Sequence, residues 1–433
     1  MNERETERRL RDWLDAQAPT VVPDGLRRAV AAVPATVPLG WLDRLAATLG
    51  PRRAAVPRSV WALLLLAGLL AALVGGALLV GSQPARKLPA EVPPVGRVYE
   101  CPPGSNPDKP GPVDQARPPS DGYMAYDRTF GKIVLVGARE QGGWETWTFD
   151  VCTNTWTRMH PASEPDVGGF GMLAYDTAAR RTMSMFPYGW VWAYDLASDT
   201  WTKTAGPPED LGTVREAVRM VYDPVARRIV ALRLGSPSRI WTFEGAAGVW
   251  QPVDQDQDVF PYAAPHLQPL LAYDASVDRL VSYYGGEVRR FDIRAGTWSP
   301  PGTTSPQFGY GGGYFSLGGE IAYDEAAQRT VLFNMGHVIA YDAAADRWET
   351  LYGPASDGCG IRPECRNLHW MVYDPVNERL VVYGGNVHTG AVGPGWWGPS
   401  DDVLAFDTRT REWTVLLEAS RPVTPEVSPS PGT

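Results

Sequence analysis

The chain has 433 residues, 44% of them hydrophobic, with 17 Trp, 18 Tyr and 11 Phe, which is ample for a large core and excludes a disordered protein. Its formal net charge of −9 is unevenly divided: residues 1–58 carry ten Arg and seven acids, and everything beyond residue 81 carries 30 basic and 42 acidic residues, a balance of −12. So acidic a bulk argues against nucleic acid as a partner. Lysine is nearly absent, with Lys87, Lys109, Lys132 and Lys203 standing against 36 Arg.

Residues 1–58 read as a short helical tail. From Glu3 to Gln17, Leu10, Trp13 and Leu14 share one helical face among charged neighbours, and Leu26 and Val30 share a face in a second short helix from Pro23 to Ala32. Two such helices bury too little to fold alone. The stretch ERRLRDWLDAQAPTVVPDGLRRAV resembles the cytoplasmic stubs of bacterial membrane regulators, including anti-sigma-factor-like proteins. It lacks the His-Cys-Cys metal motif of the zinc-binding members, since no Cys or His precedes residue 60.

Val60 to Gly81, VWALLLLAGLLAALVGGALLVG, is a run of 22 residues without a charge. As a helix it is roughly 33 Å long, about the thickness of a bilayer core. The expectation is a transmembrane helix over 59–82. A cleaved signal peptide is the rival, but the run starts some sixty residues in, exceeds a hydrophobic region of about 7–15 residues, and lacks a clean small-x-small site after it. Arg44, Arg52, Arg53 and Arg58 before the run, against Arg86, Lys87 and Arg97 after it, put the N-terminus in the cytoplasm. All four cysteines, Cys101, Cys152, Cys359 and Cys365, follow the run, as expected of a segment that meets an oxidising compartment.

Residues 83–120 read as a Pro-rich spacer and 418–433, ending VTPEVSPSPGT, as a disordered tail. Between them lies a sixfold repeat. Tyr126, Tyr175, Tyr222, Tyr273, Tyr323 and Tyr373 recur every 47 to 51 residues; each is followed by Asp and, six residues on, by Lys132, Arg181, Arg228, Arg279, Arg329 or Arg379. Each copy closes with an aromatic (Phe149, Tyr194, Phe243, Phe291, Tyr341, Phe406) seven residues before a Trp (Trp156, Trp201, Trp250, Trp298, Trp348, Trp413). Within a copy such as the last, MVYD, RLVVY, VLAF and a stretch opening on Trp413 read as four antiparallel strands. The Asp after each Tyr suits a capped type I turn, and Asp223-Pro224 and Asp374-Pro375 place Pro where its φ is pre-set. Four strands in a period near 50 residues are the signature of a β-propeller blade, and six blades is the count that follows.

Gly285-Gly286 and Gly384-Gly385, followed by FDIRAGTW and FDTRTREW, resemble the kelch motif of a glycine pair, an aromatic and a Trp over roughly residues 121–417. The resemblance implies an all-β, six-bladed kelch-like propeller of the galactose-oxidase type. The glycine pair is Gly137-Ala138 in the first copy, and Phe186-Pro187, Leu234-Gly235 and Met335-Gly336 stand in its place in copies two, three and five. The copper site of galactose oxidase needs two Tyr, a cross-linked Cys and two His, and no Cys here sits alone for that task. The sialidase Asp-box is absent. Four cysteines allow three pairings; the most local is Cys101–Cys152, pinning the lead-in to the outer edge of the first blade, with Cys359–Cys365 stapling the loop into the sixth.

The loops joining strands two and three, and strand four to the next blade, share the face around the channel mouth, a natural binding site. They carry aromatics: Trp144, Tyr188, Trp190, Phe308, Tyr310, Tyr314, Phe315, and Trp396 with Trp397 in the GPGWWGPSDD insertion of the sixth copy. Exposed aromatic planes among Gly-rich loops suit sugar rings or peptide segments. The repeat Tyr and Trp residues read instead as core between blades. His160, His266, His337, His369 and His388 are scattered, with no paired-ligand spacing. Asp254, Asp256 and Asp258 alternate as calcium-loop acids do, but Val259 and Pro265 occupy the Gly and Glu positions that loop requires. Asp401 and Asp402 lie beside the insertion, and as strand neighbours they point to opposite faces and cannot form one glycosidase pair.

The expectation is therefore a membrane-anchored, extracytoplasmic binding or sensing module, without cofactor, metal or catalytic set. Its aromatic face takes a glycan, peptide or protein ligand. The alternatives are an extracellular carbohydrate-active enzyme and an anti-sigma-like transmembrane regulator.

Overall fold

The computed structural model describes residues 99–420 except 121, 139–142, 166–171, 186–189, 207, 209–217, 234–236, 246, 260–269, 307–318, 354–364 and 389–396, and leaves aside the side chains of 388 and 397. All of these belong to one compact unit, Ala90–Thr433. No helix among the described residues is long and apolar enough to cross a membrane; the run Val60–Gly81 and the tail 1–58 lie outside them.

The described chain is all-β. Six four-stranded antiparallel sheets follow one another, over residues 122–158, 172–205, 218–253, 270–298, 320–352 and 370–417, numbered here sheets 1 to 6. Each copy of the repeat supplies all four strands of its own sheet. The inner strands, Gly122–Asp127, Met172–Asp176, Val218–Asp223, Leu270–Asp274, Glu320–Asp324 and Trp370–Asp374, lie against one another in chain order, and the last lies against the first. This is a propeller-like ring.

The invariant parts of the repeat have mechanical reasons. In every copy the aromatic and the Trp seven residues later are direct cross-strand partners, with ring centroids 4.8–5.0 Å apart. The seven-residue spacing is what a short turn between paired strands demands. The residue five after the aromatic (Asn154, Asp199, Gly248, Gly296, Asp346, Arg411) has positive φ, as does the residue five after each repeat Tyr (Gly131, Arg180, Arg227, Asp278, Gln328, Glu378). Both hairpins thus turn through one left-handed residue, the bulge that matches strand twist. The Asp after each Tyr accepts backbone N–H bonds two or three residues on, as from Ala178 and Ala179 to Asp176 at 2.8 and 2.9 Å, and from Val225 and Ala226 to Asp223 at 2.9 Å. The capped turn read from the sequence is present.

The repeat Trp residues tie neighbouring sheets together. Trp201 Nε1 donates to Thr146 Oγ1 of sheet 1 at 2.9 Å, Trp250 Nε1 to Gly206 O at 3.0 Å, and Trp348 Nε1 to Thr303 O at 2.8 Å, each reaching the preceding copy. Two of the repeat Tyr residues do the same nearer the axis: Tyr175 meets Thr129 of sheet 1, and Tyr373 accepts from Ala326 N of sheet 5 at 3.2 Å. Burial raises the Tyr175 hydroxyl well above its ordinary range, with the Asp127 charge adding to it. A neutral phenol is what a turn-to-ring hydrogen bond needs.

The seam between sheets 1 and 6 is reinforced by the lead-in. Residues 99–120, read from sequence as part of an extended spacer, pack across that seam. Cys101 is bonded to Cys152 in the outer turn of sheet 1, the pairing expected as most local. Gly111 N donates to Leu416 O at 2.8 Å, Asn154 Nδ2 to Lys109 O at 2.8 Å, and Tyr383 Oη of sheet 6 to Pro118 O at 2.7 Å. Arg379, nearly buried, reaches Asp374, Pro107 O and Asp108. The short repeated copies could not reveal this, because the lead-in belongs to no copy. Cys365 is fully buried and disulfide-bonded, while Cys359 lies outside the described residues.

The glycine pair is a turn requirement. Gly285 and Gly286 have φ of +59° and +88° in a two-residue hairpin between Tyr284 and Glu287. Met335 and Gly336 make the same turn at +46° and +77°, so the diverged copy keeps the conformation without the pair. In sheet 6 the pair serves close approach: a Cβ on Gly384 would stand 2.5 Å from Ser120 O, and one on Gly385 2.5 Å from Asn367 O. There the chain opens into an additional three-stranded sheet of Arg366–Asn367, Asn386–His388 and Trp397–Pro399.

Candidate functional site

Each inner strand starts at the end of its sheet where strands two and three are joined; Gly122 pairs with Gly137, and Ala138 with Trp144. The axial channel of about 260 Å³ therefore opens, on the loop-bearing face, among the first residues of the inner strands. Three residues before each repeat Tyr stand Tyr123, Met172, Arg219, Leu270, Glu320 and Trp370, one from each sheet, and all but Leu270 line the cavity.

Two of these form an ion pair across the ring. Arg219 Nη2 of sheet 3 lies 3.4 Å from Glu320 Oε1 of sheet 5, bypassing sheet 4, with side chains 12% and 14% exposed. Arg219 Nη1 also reaches the Met172 sulfur at 3.3 Å, and its guanidinium carbon lies 5.9 Å from the centre of the Trp370 ring. Burial pushes the Glu320 carboxyl up, and the Arg219 charge acts against that. Aromatics continue outward: Tyr123 stands 4.5 Å from Trp370 and 6.4 Å from Trp144, centroid to centroid. The mouth thus sets an arginine–glutamate pair beside the Trp370 ring, with Tyr123 packed on that ring and Trp144 next to Tyr123.

The opposite mouth, at the Tyr end, carries its own cross-ring pair, Arg128 of sheet 1 with Glu325 of sheet 5. Glu325 directly follows the inner strand that Glu320 opens, so one strand is bracketed by two acids about 16 Å apart at the usual strand rise.

Of the aromatics expected at the face, Trp144 is half-buried and stands beside Tyr123, with ring centroids 6.4 Å apart. Trp190 is 42% exposed and carries Lys203 Nζ 3.3 Å above its ring, so one plane is already covered by a cation. Tyr188, Tyr310, Tyr314 and Trp396 lie outside the described residues; Trp397 begins a strand of the added sheet. Arg219, Glu320 and Trp370 were missed because the cross-ring contacts of Arg219 join residues 101 and 151 apart in the chain. The available signal was the third position before the Tyr, apolar or aromatic in four copies and charged in two.

The remaining polar candidates serve the fold. Asp402 takes a bidentate bond from the fully buried Arg366, at 2.9 and 2.7 Å, which also donates to Gly384 O at 2.9 Å. Asp401 caps Ser420 N at 2.7 Å. Asp256 and Asp258 accept from Trp298 N at 3.0 Å and Ser238 N at 2.6 Å. His337 Nδ1 lies 3.1 Å from Met335 O, and His369 stacks on Phe333 with centroids 4.4 Å apart. Among the described residues no three His, Cys, Asp or Glu gather to hold a metal ion.

No family model matches the chain, and no curated protein matches it. Among solved structures it is similar to a structural genomics protein of unknown function from Bacteroides thetaiotaomicron, at 13% identity and a TM-score of 0.45 over 64% of this chain and 70% of that one. It is also similar to YCF48 bound to D1 peptide, at 11% identity and a TM-score of 0.41 over 73% of this chain and 86% of that one.

Proposed function

We propose that the chain is a single-pass membrane protein carrying an extracytoplasmic six-bladed, kelch-type β-propeller that binds a protein or peptide segment at its loop-bearing mouth. The observation that carries this reading is the convergence of Tyr123, Trp144 and Trp370, from sheets 1 and 6, beside the Arg219–Glu320 pair. Large rigid rings around a partly desolvated charge pair are the composition of binding hot spots. A glycan would bring hydroxyls needing many partners, whereas a side chain with one polar end needs few.

The anchor rests on the uncharged run Val60–Gly81, and the extracytoplasmic address draws support from the Cys101–Cys152 bond, which persists in oxidising compartments. The six blades rest on the six sheets, and the kelch type on the glycine turns and the aromatic–Trp pairs. The tail 1–58 is the cytoplasmic end of this arrangement.

The test uses the full-length protein in nanodiscs on peptide and glycan arrays, beside Trp370→Ala and Trp144→Ala variants that keep the wild-type melting temperature. Peptide binding lost in both variants supports the reading. Glycan binding, or peptide binding that both variants retain, refutes it.

A further inference from the structure

Arg219 stands where a ligand's cation would stand. Its guanidinium is held by groups from three other sheets: the Glu320 carboxylate, the Trp370 ring and the Met172 sulfur. A carboxylate, an aromatic face and a soft sulfur acceptor together make a recognition set for a guanidinium or ammonium. Tyr123, buried and packed on Trp370 with ring centroids 4.5 Å apart, backs that aromatic face. The chain beyond residue 81, with 42 acids and 30 bases, draws positive partners toward it by long-range attraction. An acidic ligand would meet that field unfavourably and would displace Glu320 rather than Arg219.

From this geometry we infer that the loop-bearing mouth recognises a basic side chain of a protein partner, and that Arg219 occupies this cation position in the unbound chain until the partner's Arg or Lys displaces it. The inference rests on the mouth being the binding site and adds the chemistry of what enters it. Arg219 is then an internal competitor, and Glu320 the anchoring acid, so the two charges have opposite effects on affinity. If Arg219 were itself the ligand-binding group, both effects would reverse.

The experiment measures fluorescence anisotropy of a labelled hexapeptide containing two arginines with full-length protein in nanodiscs, beside matched peptides carrying citrulline or glutamate. Glu320→Gln is expected to weaken the arginine peptide about tenfold or more, as loss of one partner of a desolvated pair does, and Arg219→Gln to tighten it several-fold. The citrulline and glutamate peptides are expected to bind far more weakly than the arginine one. Loss of binding in Arg219→Gln with gain in Glu320→Gln overturns the inference in favour of an anionic ligand. Equal affinity for arginine and citrulline peptides overturns it too, on wild-type protein alone, so the result stands even where a charge variant fails to fold. Arginine-peptide binding that Trp370→Ala abolishes and neither charge variant alters overturns the inference while leaving the mouth as the binding site.

Discussion

Glu320 and Glu325 bracket a single inner strand, and each is paired across the ring, Glu320 with Arg219 of sheet 3 and Glu325 with Arg128 of sheet 1. Sheet 5 is therefore the strut to which both ends of the channel are tied. The two pairs differ in burial, since Glu325 is 32% exposed and Glu320 14%. Glu325→Gln leaves Arg128, whose guanidinium burial holds below its usual range, without its carboxylate, and is expected to cost about 1–3 kcal/mol while leaving ligand affinity unchanged. Urea melts of the variant beside binding isotherms check both parts.

The clasp of residues 99–120 carries its own consequence. The Cys101–Cys152 bond closes a loop with a sequence separation of 51. Chain-entropy arithmetic assigns such a loop about 4 kcal/mol. Cys101→Ser with Cys152→Ser is expected to lower unfolding free energy by that order. The same pair should expose the seam between sheets 1 and 6 to proteolysis near Asn154 and Tyr383 before other turns are cut. Limited proteolysis with mass mapping reads this directly.

Arg366 and Asp402 form a buried, bidentate pair that holds the added sheet to sheet 6. Removing one partner strands the other charge in a buried site. Asp402→Asn is expected to cost about 3–5 kcal/mol, whereas Arg366→Met with Asp402→Leu is expected to recover most of that loss. Chemical denaturation of the single and double variants separates the two outcomes.

His369 is fully buried, and its imidazole is held well below the usual histidine range, first by burial and then by the Arg366 charge. The folded state keeps it neutral while the unfolded chain takes up a proton near pH 6.5. Its contribution to stability is therefore complete above about pH 6.5 and is lost as pH falls below that value. Asp127 acts with the opposite sign: burial pushes its carboxyl up to about 6, so its folded form gains relative to the unfolded one as pH falls through that value. Comparing His369→Leu with wild type across pH 5 to 7.5 isolates the histidine; the variant is expected to show a flatter loss of stability on acidification. An unchanged slope would contradict the buried, neutral assignment.

Much of the fold could be read from the spacing of a few residue types. The Tyr-Asp step, the aromatic seven before Trp and the short turns between them each follow from hairpin register, so Phe291 and Trp298 announced their pairing in one dimension. The Cys101–Cys152 bond was legible as the most local pairing. The mouth was not, because Arg219, Glu320 and Trp370 meet only after the ring closes, and no local rule relates residues in sheets 3, 5 and 6. The packed lead-in was hidden for a related reason: Pro-rich composition describes an unpartnered chain, whereas Gln115 and Pro118 have partners at Trp156 N and Tyr383 Oη. Of the aromatics that the sequence placed on the loop-bearing face, Trp144 lies beside Tyr123, and Tyr188, Tyr310, Tyr314 and Trp396 lie outside the described residues.

The central claim, that the loop-bearing mouth is the binding surface, is tested most directly by site-specific photocrosslinking in intact cells. A photoreactive residue at position 144 is expected to capture a discrete protein partner, and one at position 128, in the opposite mouth, is expected to capture none. Capture from 128 and not from 144 would contradict the account.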